Sequence, residues 1–347
     1  MEEIILITSK ATEMASILST NKKRLKDTHG KCYVFVHSSV DGDCVGASCA
    51  MADALNGLGI DTKVALAEKI PEDMAFMNVE ELIQYDILPN NSEDFAIAVD
   101  CASGSRMGEM GDFFEGIENK IIIDHHISVD PNLSDAWIDS KASSASEMCF
   151  RMLLALAKNM EVSSEEIISK RAANCLLTGI VTDTGRFTYT NTSPETLVAS
   201  GKLMQLGGNI SMSCYYLFDM KKKPDFLLSN EACNTAEFFC EDRVAMSIVT
   251  REMFEKYGAD EDSVSDVAAR LRDVDSVDVS FVLRETEDGK IRANIRSSSS
   301  FDCAAFASQF GGGGHKRASG FTVDNMDIEA LAQEVRRLVT DEFESNM

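Results

Sequence analysis

The chain has no Cys-x-x-Cys pair, no Walker-type GxxxxGK[ST] loop and no apolar run long enough to span a bilayer. The first absence matters because ten cysteines are present, and most of them, such as Cys32, Cys44, Cys49, Cys101, Cys149 and Cys175, lie inside apolar segments. That pattern predicts free buried thiols in a reducing cytoplasm, with no secretory signal, rather than a disulfide framework. The second absence removes the P-loop nucleotide enzymes, and the third argues against a membrane protein. Positive charge is scarce as well. With 33 Lys and Arg against 57 Asp and Glu, the formal net charge is −24. Long nucleic acid is bound through many Lys and Arg contacts to phosphate, so no long nucleic-acid partner is expected. A phosphate-bearing substrate has to be small, or gripped locally by metal and a few basic residues.

What is present points to an α/β protein. At 347 residues the chain exceeds the size at which a single core stops growing, so two domains are expected. A packing helix is read in residues 1–26, with Lys22-Lys23-Arg24 as its C-terminal charge complement. Three short apolar runs then read as strands that end in ionisable residues. Cys32 to Val36 leads into His37-Ser38-Ser39-Val40-Asp41-Gly42-Asp43, Phe95 to Val99 leads into Asp100, and Lys120 to Ile123 leads into Asp124-His125-His126. Runs of this kind are buried on both faces, as in a parallel sheet, and the segments between them are long enough for crossover helices. In such sheets ligands bind outside the carboxyl ends of the strands, where these polar residues fall. Successive side chains alternate along a strand, so Asp124, His125 and His126 are expected to play three different roles.

His37 with Asp41 and Asp43 is a ligand set suited to a divalent ion such as Mn²⁺, with Gly42 permitting a turn. Each string taken alone also fits a capped turn or a satisfied core histidine. A helix over 165–182 delivers Asp183, an acid that the helix dipole disfavours unless a cation compensates it. A further helix spans Pro194 to Leu206. Arg106 could reach an anion, and Ser143 and Ser144 precede a helix where they could donate to phosphate or cap it.

In order, His37-x-x-x-Asp41-x-Asp43, Asp100, Asp124-His125-His126 and Asp183 closely resemble the motifs of the DHH phosphoesterase superfamily. Gly311 to Gly314 followed by His315-Lys316-Arg317-Ala318-Ser319-Gly320 resembles the GGGH-x-x-A-S-G signature of the DHH-associated domain. Over nearly the whole length the chain is similar to the compact bacterial nanoRNase/pAp-phosphatase (NrnA-like) group, which includes enzymes acting on pApA and, in some members, cyclic di-AMP. The resemblance implies a two-ion site, usually Mn²⁺ with Co²⁺ or Mg²⁺ as substitutes. His37, Asp41 and Asp100 would hold one ion; Asp43, Asp100, His125 and Asp183 would hold the other. His126 would face the scissile phosphate, and Asp124 would orient a neighbouring histidine.

The fold expected is therefore a doubly wound, mainly parallel sheet, plus a smaller α/β C-terminal substrate-binding domain across a cleft. The divisions are 1–215 for the catalytic domain, 216–228 for a linker marked by Lys221-Lys222-Lys223-Pro224, and 229–347 for the second domain. In the latter, Val277 to Arg284 and Lys290 to Ser297 read as a hairpin around Asp288-Gly289, and Phe301 to Phe310 and Ile328 to Leu338 as helices. Arg296-Ser297-Ser298-Ser299 and Gly313-Gly314-His315-Lys316-Arg317 are its anion-binding candidates. The expected activity is Mn²⁺-dependent hydrolysis of short oligoribonucleotides or signalling dinucleotides, with 3′-phosphatase action on pAp. A homodimer is the expected assembly. A silent dinucleotide sensor and an inorganic pyrophosphatase of the same superfamily are the alternatives; against the latter, its basic Ser-Arg-Lys-Lys type motif is not found.

Overall fold

The computed structural model describes residues 6–86, 91–126, 135–298 and 300–345. The chain divides into two compact units, Met1–Met220 and Lys221–Met347.

The first unit is built on six parallel strands in the order β3-β2-β1-β4-β5-β6. These are β1 (Cys32–Phe35), β2 (Thr62–Ala65), β3 (Ile83–Gln84), β4 (Phe95–Val99), β5 (Asn119–Asp124) and β6 (Ala136–Ile138). Their apolar residues are divided by the pleat between two layers. Val34, Ile97, Ile121 and Ile123 pack beneath α1 (Ser9–Thr28), α2 (Gly42–Gly57), α4 (Ala145–Asn159) and α5 (Lys170–Asp183). Tyr33, Phe35, Ala96 and Ala98 pack on the other face with Phe113 and Phe114 of α3 (Gly111–Gly116). Each valine, isoleucine or phenylalanine among them, fully buried, contributes about 1.5–3 kcal/mol. The strand order reverses between β1 and β4. That reversal opens a crevice at the carboxyl ends of the strands, where ligands of such sheets bind.

Several boundaries differ from the sequence reading. α1 continues to Thr28, so Lys22-Lys23-Arg24 stand short of its end and only Lys26 lies in the last turn. Arg24 instead holds the Glu93 main-chain oxygen at 2.7 Å. The expected helix over 165–182 is broken, because Ser169 accepts from Ala172 N at 3.1 Å and starts α5 afresh after a single turn at Ser164–Ile167. α6 (Pro194–Gln205) opens on a Ser193 cap. Of the stretch expected to connect the units, Lys223 onward is helical, because Pro224 in the first turn of α7 (Lys223–Asn234) starts a helix as readily as it ends one.

The second unit holds a six-stranded mixed sheet in the order β11-β12-β10-β9-β8-β7. The strands are β7 (Glu237–Phe239), β8 (Val244–Val249), β9 (Val279–Glu285), β10 (Ile291–Ser297), β11 (Gly313–His315) and β12 (Ala318–Val323). β9 and β10 form the antiparallel hairpin read around Asp288-Gly289. One face packs on α10 (Cys303–Ser308) and α11 (Ile328–Ser345), the other on α7, α8 (Arg251–Tyr257) and α9 (Val267–Arg272). No helix among the described residues is long and apolar enough to cross a membrane, and all ten cysteines are free thiols.

Candidate metal centre

The crevice gathers side chains from four segments. β1 runs out through Val36 into His37, and the chain then turns so that Asp41 becomes the N-cap of α2. One Asp41 oxygen accepts from the amides of Asp43 and Cys44, at 3.1 and 2.9 Å. The other stands 3.6 Å from His37 Nε2. Asp43, in the first turn of α2, is wholly buried. Its oxygens accept from Ala145 N at 2.6 Å and Ser146 N at 2.9 Å, the first amides of α4. A carboxylate there meets the positive end of a helix dipole.

Asp100 follows β4 with φ +58, a left-handed turn that swings its carboxylate into the crevice. Aspartate tolerates this conformation better than most residues, and such strain concentrates at functional sites. Asp100 Oδ2 lies 3.2 Å from His37 Nε2, and Oδ1 lies 3.3 Å from His125 Nε2. His125 Nε2 also faces Asp183 Oδ2 at 3.2 Å and Asp43 Oδ2 at 3.8 Å. Asp183, the last residue of α5, is brought in by that helix's packing on α2. The close crossing depends on Gly46, since a Cβ there would lie 3.0 Å from Gly179 N and closer still to Cys175 O.

Four carboxylates thus crowd around two imidazole Nε2 atoms. Burial raises the Asp43 carboxyl well above the usual range, and Asp183 and Asp100 push it the same way. Burial likewise raises Asp183. Burial opposes charge on His125, but Asp100 and Asp183 outweigh it and hold the imidazole at about 11. Burial also opposes charge on Asp100, and His125 and His37 overcome it to bring the carboxyl down to about 2. The group lacks positive charge and recruits protons to supply it. Among the described residues Asp100 Oδ1 is moreover buried and receives no hydrogen bond of good geometry, although His125 Nε2 stands 3.3 Å away. Oxygen and imidazole donors converging with an acceptor left open fit a hard or borderline divalent cation. The ligating atoms of Asp43, His125 and Asp183 lie within 4.8 Å of one another, as do those of Asp100, His125 and His126 and those of His37, Asp41 and Cys44.

The expected division among Asp124, His125 and His126 has a structural counterpart. Asp124 is wholly buried, and its Oδ1 stands 2.7 Å from His126 Nδ1 and accepts from His126 N at 3.0 Å. That contact raises the His126 pKa. It also fixes the ring and leaves Nε2 as the edge available to a ligand, on a side chain 37% exposed. Arg106 is exposed at the end of the turn Gly104–Arg106, with its charge near enough to His37 to oppose protonation there.

One expectation needs correction. Ser143 and Ser144 are wholly buried and bound within the protein: Ser143 Oγ donates to Glu147 Oε2 at 2.6 Å, and Ser144 Oγ accepts from Glu147 N at 3.1 Å. Neither presents a donor to a ligand. Cys44, read from the sequence only as a buried thiol, brings that thiol beside His37 and Asp41. Burial and the Asp41 charge keep that thiol protonated, and it completes the α2 cap by accepting from Asp41 N at 3.2 Å.

The second unit has a cavity of about 570 Å³ lined by Arg292, Asn294, Arg296, Gly311 to Gly314 and Ala318 to Thr322. Arg296, Gly313 and Gly314 come together there as expected. Gly314 is held at φ +142, where a Cβ would lie 2.7 Å from Ala318 O. Gly313 and Gly314 therefore belong to a strand pressed on β12. Ser297, expected to contact ligand, is buried and its Oγ donates to Phe301 O at 3.0 Å. His315, at the end of β11, and Lys316 and Arg317, in the following turn, are exposed and do not line the cavity. Ser299 lies outside the described residues. Asn294 was missed: its Oδ1 is buried without a partner. The signal was the alternation Arg292, Asn294, Arg296, which puts three polar residues on one face of β10.

Residues 31–180 match the DHH family, N-terminal domain, and residues 242–343 match the DHHA1 domain. The chain therefore carries a DHH domain and a DHHA1 domain. It is 29% identical over 319 residues to the bifunctional oligoribonuclease and PAP phosphatase NrnA of Thermus thermophilus, covering 92% of each protein. Its fold is similar to that of an exopolyphosphatase-related protein from Bacteroides fragilis, with a TM-score of 0.75 at 22% identity over 94% of this chain and 96% of the other. It is also similar in fold to an exonuclease RecJ bound to manganese, with a TM-score of 0.55 at 15% identity over 96% of each chain.

Proposed function

We propose that this DHH-family phosphoesterase hydrolyses short oligoribonucleotides, linear dinucleotides such as pApA among them, to nucleoside monophosphates, and removes the 3′-phosphate of pAp. Cyclic di-AMP is a further candidate substrate. The observation that carries the reading is the buried Asp100 carboxylate, which faces His37 Nε2 and His125 Nε2 and stands with three other carboxylates at the switch point of a parallel sheet. The similarity to an oligoribonuclease and PAP phosphatase over 92% of the chain supports the substrate class, and the −24 charge favours a substrate short enough to need no basic track. Free thiols throughout favour a reducing cytoplasm.

In this reading His37, Asp41 and Asp100 hold one divalent ion, Mn²⁺ being the candidate, and Asp43, Asp100, His125 and Asp183 hold a second. Bound there, the ions supply Lewis acidity toward phosphoryl oxygens and hydroxide at neutral pH. The remaining work belongs to the protein. α4 fixes Asp43 through two amides, and the left-handed turn at Asp100 aims both of its oxygens into the crevice. Asp124 holds the proton of His126 on Nδ1 when the ring is neutral, leaving Nε2 to receive or deliver a proton at the leaving oxygen. Arg292, Arg296 and Asn294 offer a phosphate and base edges their donors and acceptor.

Product analysis with Mn²⁺ on pApA, pAp, cyclic di-AMP and pyrophosphate tests this, with Asp183→Asn as control. AMP from pApA and pAp, abolished in the variant, is the expected result. Cleavage of pyrophosphate alone, or binding of pApA without cleavage, overturns it.

A further inference from the structure

One buried carboxylate has no part in the chemistry above. Glu147, in the first turn of α4, is wholly buried and accepts on Oε2 from Ser143 N at 3.2 Å, Ser143 Oγ at 2.6 Å and Thr196 Oγ1 at 2.8 Å. Its Oε1 pairs with Arg151. Ser143 and Glu147 bracket Ala145 and Ser146, the two residues whose amides grip Asp43. The same short segment is tied to the end of α5, because Asn191 Nδ2 donates to Ser143 O at 3.0 Å and to Asp183 O at 3.1 Å. Thr196 anchors it to α6.

Among the described residues the other half of the crevice has no such brace. Asp41 is oriented by the cap of its own helix, and His37 Nδ1 is buried without a partner. A carboxylate with four donors, placed beside the amides that hold one ligand and linked to the main chain of another, supports one ion position and not its neighbour. We infer that Glu147 is a positioning residue for the ion held by Asp43, His125 and Asp183. It sets the affinity of that position while leaving the one at His37 and Asp41 to its own cap. This inference rests on the two-ion reading of the crevice.

The groups behind metal ligands typically alter affinity by about 10- to 100-fold when removed. The test is Mn²⁺ titration by calorimetry and electron paramagnetic resonance on the full chain, with thermal melting alongside. Wild type, Glu147→Gln and Ser143→Ala are compared. Asp183→Asn identifies which binding phase belongs to the second position. Two phases in the wild type are expected, with that phase alone weakened about 10- to 100-fold in Glu147→Gln. Ser143→Ala, which leaves the Arg151 pair intact, should weaken the same phase by less, and it carries the test if Glu147→Gln fails to fold. Equal weakening of both phases, or of neither, overturns the inference and leaves the two-ion reading standing. A wild-type chain that binds one ion or none overturns both.

Discussion

Replacing Gly46 by alanine adds one methyl group remote from any ligand atom, yet it should disable the crevice. The methyl would lie 3.0 Å from Gly179 N and 3.3 Å from Cys175 C, and nearer still to Cys175 O. These are backbone atoms of α5, so no side chain can swing aside, and α2 must separate from α5 by about 1 Å to restore ordinary contact distances. α2 carries Asp43 one turn before Gly46, and α5 carries Asp183 one turn after Gly179. Parting the helices therefore parts two carboxylates that face one imidazole. Overpacking of this kind costs about 1–3 kcal/mol, against a helix-propensity gain of about 1 kcal/mol for Gly→Ala. The net loss of stability should be about 0–2 kcal/mol. A misplacement of about 1 Å can cost on the order of 100-fold in rate. The assay is kcat/KM on pApA at saturating Mn²⁺ together with thermal melting. Gly57→Ala in the same helix, where nothing lies within 4 Å of the added carbon, is the control and should keep the wild-type rate with stability equal to wild type or up to about 1 kcal/mol above it. A Gly46→Ala protein with wild-type rate and melting temperature would refute the reasoning.

Other consequences can be measured independently. His126→Ala should lower kcat by about 10²- to 10⁴-fold, the usual contribution of a positioned acid or base, with Mn²⁺ affinity retained; steady-state kinetics with a metal titration checks both. Removing divalent ions with EDTA should abolish hydrolysis, and restoring Mn²⁺ at about 100 times its Kd should stabilise the fold by about 2.7 kcal/mol, read as a rise in Tm. Burial pushes the Cys32 and Cys49 thiols up to about 12 from 9.0. Their contribution to stability is complete below pH 9 and is lost as pH rises from 9 toward 12, because only the unfolded chain releases those protons there. Thiol labelling of the native protein at pH 8 should reach the partly exposed Cys214, Cys233 and Cys240 and spare these two, and denaturant melts should weaken across that alkaline window.

The parallel sheet was legible because β1, β4 and β5 are short runs of β-branched and small apolar residues, each followed at once by His37, Asp100 or Asp124. Chain order alone put those residues at the carboxyl ends of strands. The grip on Asp43 was not legible: the amides of Ala145 and Ser146 lie about a hundred positions away in sequence, and main-chain donors have no residue-type signature. The serine pair misled for the same reason, since a cap and a phosphate donor look alike until the partner of each hydroxyl is known. In the second unit, the glycines were read as anion-binding candidates, and only the pairing with β12 shows that Gly313 and Gly314 are strand. The polar face of β10 was available from its alternation but stood beside the more conspicuous glycines. Asp100 could be named as a ligand from the motif it resembles, but its left-handed backbone belongs to the tertiary fold.

The central claim is that two divalent ions sit on either side of Asp100. Anomalous scattering at the manganese edge, from crystals equilibrated with MnCl₂, measures this directly. Two peaks are predicted, one beside His37 and Asp41 and one beside Asp43, His125 and Asp183, with Asp100 between them. A single peak, or peaks away from Asp100, would contradict it.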